Sequence, residues 1–187
     1  MQFKTKTAPA TEPVTLAEAK AHLRVDHSDE DDQIEALIQS AREWVEDHIE
    51  RPIITQTITG ATDRFSRRME LKPNLQSITA IRYIDTDGAE QTLDASVYAL
   101  DDYALIGAVY LAPNQEWPST RGEPFDVQVD FVAGYGEAAD VPAKIKQAIL
   151  LLIGHLYANR EATTISGVEE MPLSVDSLLS SARVVPV

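Results

Sequence analysis

A chain of 187 residues, 44% of them hydrophobic, suits one domain or one domain carrying an insertion, and it can bury a core, which excludes global disorder. Its 30 acidic against 16 basic side chains give a net charge of −14; phosphate binding needs cations that displace counterions, so this balance argues against a chain that grips nucleic acid. The absence of cysteine excludes disulfides and thiolate metal sites.

Acidity keeps a chain soluble, and it can also line a passage that repels DNA and leaves it mobile. Residues 1–11 lack the apolar centre of a secretory signal. The longest apolar run, Ala148 to Ala158, is about half a membrane span, so a soluble chain with no membrane partner is expected.

In chain order, residues 1–12 read as a flexible arm. Thr15-Leu16-Ala17-Glu18 is a capping-box pattern opening a short helix that ends near Val25. Ser28-Asp29-Glu30-Asp31 opens a longer one, with Ile34, Leu37, Ile38, Ala41, Trp44, Val45, His48 and Ile49 spaced three and four apart until Pro52 ends it. From Ile53 the period becomes two. Strands are expected over Ile53 to Thr59, over Ser77 to Ile84 and Gln91 to Leu93 around a hairpin turn at Asp85 to Gly88, over Leu105 to Leu111, and over Phe125 to Phe131. The clean alternation of the last predicts one buried face and one wet face.

Ala112 to Pro124, with Trp117, is a loop long enough to carry contacts. After Gly134-Tyr135-Gly136, Pro142 starts a helix to Arg160 that buries Ile145, Ala148, Ile149, Leu152, Leu156 and Tyr157. Leu151 and Ile153 widen its apolar stripe beyond what one neighbour needs, which implies a central core helix or a second packing partner. Thr163 to Glu170 reads as a loop. Leu173 to Ala182 reads as a last helix with Val175, Leu178, Leu179 and Ala182 on one side. Together these predict an α+β fold: a helical bundle made by the terminal helices (13–52 and 134–187) with an inserted antiparallel β-sheet (53–133).

No motif in the chain announces catalysis. Gly134-x-Gly136-x-x-Ala139 matches a dinucleotide fingerprint in letters, but its helix starts too late and Glu137 would face the phosphates, so the glycines are expected in a tight turn. The acids Asp26, Asp29, Glu30, Asp31, Asp32 and Glu35 lack the glycine of a calcium loop and fit a solvated helix start or an acidic docking face. His22, His27, His48 and His155 form no ligand pair, and no nucleophile motif occurs. No catalytic residue, cofactor or metal is therefore assigned. Arg64, Arg67 and Arg68 form one basic knot, either a solvated hairpin or a contact with an acidic neighbour such as another copy of this chain.

The run Pro13 to Val25, then Asp31-Asp32-Gln33-Ile34 and Ala41 to Glu46, resembles the opening of the head-tail connector (adaptor) proteins of tailed phages. Gly134-Tyr135-Gly136 to Pro142, Ile145, Ala148-Ile149, Tyr157 and Arg160-Glu161 are similar to their second signature, and Leu173 to Arg183 to their closing segment. The resemblance implies a non-enzymatic virion protein, made in the bacterial host cytoplasm. It implies a ring of about a dozen copies with closed symmetry beneath the portal protein, joined to a tail or stopper protein, with DNA passing through unbound. The expected contact residues are Leu151, Leu152, Ile153, Leu156, Arg64, Arg67, Arg68, Trp117, Leu178 and Leu179. The competing classes are a small carboxylate-dependent hydrolase and a regulatory protein-binding module.

Overall fold

The computed structural model describes residues 1–159 and 173–184. The chain divides into two compact units, Met1–Ala10 with Thr55–Tyr135 and Thr11–Ile54 with Gly136–Val187.

The first unit is built from strands β1 (Gln2–Thr7), β2 (Gln56–Thr62), β3 (Arg68–Pro73), β4 (Leu75–Ile84), β5 (Glu90–Thr92), β6 (Tyr98–Asp101), β7 (Ile106–Leu111) and β8 (Val127–Ala133). They form a five-stranded sheet in the order β1-β2-β8-β4-β5 and a three-stranded sheet in the order β3-β7-β6, with antiparallel pairing throughout. Alternate side chains of both sheets meet in one core of Ile58, Met69, Leu71, Ile81, Val109, Val129 and Phe131. Gly107 permits a close approach there, since a Cβ at this position would lie 2.4 Å from Leu75 Cδ2. The expected hairpin turn forms: the Asp85 carboxylate accepts the Asp87 and Ala89 N–H groups and Gly88 takes φ 83°.

The second unit contains α1 (Leu16–Leu23), α2 (Asp31–Ile49), α3 (Ala143–Ala158) and α4 (Leu173–Leu179). The capping box of Thr15 and Glu18 is present, and α3 begins directly after Pro142. Helix α3 touches α1, α2 and α4, and the Val184 N–H donates to the Ile49 carbonyl. Gly134 and Gly136 take φ 142° and 134°, the turn geometry that suits glycine.

The expected bundle with an inserted sheet is overturned: among the described residues eight strands in two antiparallel sheets outnumber four α-helices. The difference begins at the N-terminus. Residues 2–7, read as a flexible arm, pair with β2 ahead of any helix, so the helical segment interrupts the sheet unit as much as the reverse. Strands β3 and β6 were also unexpected, because Arg68–Pro73 and Tyr98–Asp101 are short and mix charge with apolar residues. The predicted loop at Thr163 to Glu170, together with Arg160 and Glu161, lies outside the described residues.

The wet face expected for the last strand is also corrected. Asp126 and Asp130 are each 1% exposed. Asp130 is met by Lys6 of β1 at 2.6 Å, by Arg82 of β4 at 2.8 Å and by the Thr59 hydroxyl of β2. Burial opposes its charge, but Lys6, Thr59 and Arg82 outweigh that and hold its carboxyl below the usual range. Asp126 is likewise lowered: burial opposes its charge, and the Glu123 and Gly122 N–H groups and Arg121 prevail.

In the helical unit the buried charge is Arg42, 4% exposed, 2.8 Å from both Glu12 and Glu46. Burial works against its charge, yet these two acids keep its pKa above the ordinary arginine value. Burial raises the Glu46 pKa, despite the Ile53 N–H at 2.7 Å and Arg42.

Two predictions follow from these clusters. Asp130→Asn should lower stability at pH 7 by about 2–3 kcal/mol, a value discounted because Lys6 is half exposed. A depressed carboxyl stabilises the fold above its unfolded pKa and loses that effect as pH falls. The gap between variant and wild type in urea unfolding should therefore narrow below about pH 4. Arg42→Ala strands Glu46 in the interior and should cost about 3 kcal/mol, read from the helical signal in the same titration.

Candidate functional site

Three of the seven apolar residues expected at an interface are interior to their own unit. Leu152 is 2% exposed and Ile153 and Leu179 are fully buried, together with Ile145, Ala148, Ile149 and Val175. The wide stripe of α3 is answered by three helical neighbours within the unit, the central-helix alternative. Leu151, Leu156 and Leu178 are half-buried and still present surface. Nearby, His48 of α2 stacks on Trp44 at 4.8 Å, and its Nε2 lies 3.1 Å from Asp176 of α4.

The basic knot belongs to the sheet unit. Arg64 and Arg67 are exposed on the turn between β2 and β3, and Arg68, also exposed, opens β3. The turn is held in several places: Asp63 accepts the Phe125 N–H at 3.0 Å, the Ser66 hydroxyl donates to the Arg68 carbonyl at 2.6 Å, and Phe65 stacks on Trp117 with ring centres 4.8 Å apart. Trp117 is thus a half-buried anchor for the arginine turn, and that is how the structure brings it together with the knot. Arg68 pairs with Glu70 at 2.7 Å and lies over the Tyr110 ring. Among the described residues Arg64 and Arg67 have no acidic partner.

Sequence reasoning did not find two surface grooves. One, of about 620 Å³, runs along β1 in the sheet unit, beside Phe3, Lys4, Thr59 and Phe125. The other, of about 820 Å³, lies in the helical unit between the start of α1, one face of α2 and the turn at Glu137 to Ala139. The α2 wall was legible in principle, because Asp32, Glu35, Ala36 and Gln39 follow the helical period on the side away from buried Ile34, with Ile38 at its edge. The groove itself needs α1 and the distant turn, which no local pattern joins. Neither groove is lined by a histidine, and among the described residues no three His, Asp or Glu side chains stand close enough to hold a metal ion.

Solved structures that share this fold include three in which the match covers 100% of this chain and 97% of the other. They are the neck of an empty gene transfer agent particle computed with C6 symmetry (TM-score 0.82, 23% identity), the virion of the native particle (0.82, 24%) and the neck of the native particle computed with C12 symmetry (0.76, 24%). At these identities the likeness is one of fold. No curated protein matches the sequence. A family model described as head completion protein matches residues 12–170, the greater part of the chain, and so the chain belongs to the head completion protein family.

Proposed function

We propose that this chain works as a ring-forming adaptor, seated on the portal of a phage-like particle and receiving a tail or stopper protein, by docking and without catalysis. Family membership makes it a structural protein of the virion's head–tail junction. The observation that carries the ring is the fold shared over the whole chain with proteins in neck assemblies computed with C6 and C12 symmetry. A net charge of −14 fits a wall past which DNA slides without being held. The half-buried Leu151, Leu156 and Leu178 offer apolar surface for subunit or portal contacts in the helical unit.

Negative-stain electron microscopy of the purified chain, alone and with its portal protein, tests the reading. Closed rings of about a dozen copies are expected. A monomer that ignores the portal overturns it.

The α3 contact has its own check. Leu156→Asp and Leu151→Asp should leave the melting temperature near that of wild type while reducing assembly. Leu152→Asp buries an unpaired charge and should unfold the helical unit. Wild-type assembly by both surface variants would remove α3 from the subunit contact.

A further inference from the structure

The helical-unit groove has an unbalanced charge. Asp32 and Glu35 stand exposed on one face of α2, three residues apart, and among the described residues neither has a cationic partner. Glu137 lies across from them, and buried Val14 and Ile38 contribute apolar lining. Glu12, the fourth acid, is already committed to Arg42. The volume, about 820 Å³, falls in the range of pockets that take a small ligand or a few side chains.

The sheet unit carries the opposite sign. Arg64 and Arg67, also three residues apart, project from a turn whose base is fixed by the Phe65–Trp117 stack and the Asp63 and Ser66 hydrogen bonds. Arg64 and Arg67 thus stand as two neighbouring arginines without an ion-paired acid among the described residues, on a chain with nearly twice as many acids as bases. The turn is ordered before any partner arrives, so little entropy is lost when it docks.

The geometry points to a head-to-tail contact in which Arg64 and Arg67 of one copy enter the acidic groove of a second copy and pair with its Asp32 and Glu35. This rests on the ring reading. A closed ring of identical chains needs two different, mutually complementary patches on each subunit, and an arginine turn and an acidic groove are such a pair. Guanidinium groups suit the task because they pair with carboxylates in a fixed, two-pronged geometry and desolvate more readily than ammonium groups.

Charge reversal in the full-length chain tests the contact, with assembly followed by sedimentation velocity and electron microscopy and folding checked by melting temperature. Arg64→Glu with Arg67→Glu, and separately Asp32→Lys with Glu35→Lys, should each weaken ring formation by about tenfold or more. All four changes together should restore most of it. If the lysine substitutions disturb α2, Asp32→Asn with Glu35→Gln provides a milder acid-side variant, with a smaller loss expected.

Rings at wild-type concentration from either reversed pair, or a fourfold variant no better than its parents, overturn the contact while leaving the ring intact. Unaltered rings whose particles lose DNA after arginine reversal would likewise overturn it and assign the turn to nucleic acid. A wild-type chain that forms no ring, alone or on the portal, overturns the ring reading and this contact with it.

Discussion

Asp130 sits on the central strand of the five-stranded sheet, and its partners Lys6, Thr59 and Arg82 arrive from three other strands. A carboxylate this deep is tolerable only when cations and hydroxyls replace the water it has lost. Lys6 reaches across β2 to do so, which fastens the N-terminal strand to a residue 124 positions away. The strand order from β1 to β4 is therefore enforced by charge as well as by backbone pairing, and the apolar core under Phe131 lies beneath that clasp. The helical unit repeats the arrangement with the sign inverted, one buried arginine between Glu12 and Glu46.

Local chemistry was legible in the sequence; distant pairing was not. The Thr15–Glu18 box, the three-four spacing of α2, the Asp85–Gly88 turn and the proline start of α3 each depend on residues within a few positions, and each forms. Strand β1 has little apolar pattern of its own and exists because β2 accepts it. The same limit explains Asp126 and Asp130. Alternation assigned them to water, and the cations Arg121, Lys6 and Arg82, together with the Thr59 hydroxyl and the Gly122 and Glu123 N–H groups, make their burial affordable. On α3 the apolar excess was visible, but whether helices of the same chain or another chain would cover it was not.

The candidate site divides in the same way. The arginine knot stood out as the one basic cluster, and among the described residues two of its three members remain without an acid. Trp117 was singled out for the length of its loop, and its role as a stacking anchor depends on Phe65, some fifty residues earlier. A junction protein works through the match between its own faces and those of its neighbours, and burial of Leu152, Ile153 and Leu179 narrows where that match can lie.

Both units are assembled from two separated stretches of chain: the sheet unit opens at Met1 and resumes at Thr55, and the helical unit opens at Thr11 and resumes at Gly136. On the ribosome, β1, α1 and α2 emerge long before the segments that cover them. The sheet cannot close until β8 appears, and α2 has no α3 to pack against until translation nears its end. Such interleaved, long-range topology folds slowly and leaves apolar surface open in the nascent chain. A fragment that stops before β8 completes neither unit, and one that stops before α3 leaves the helical unit half built, so a truncated product is more apt to be degraded than to join and block an assembling particle.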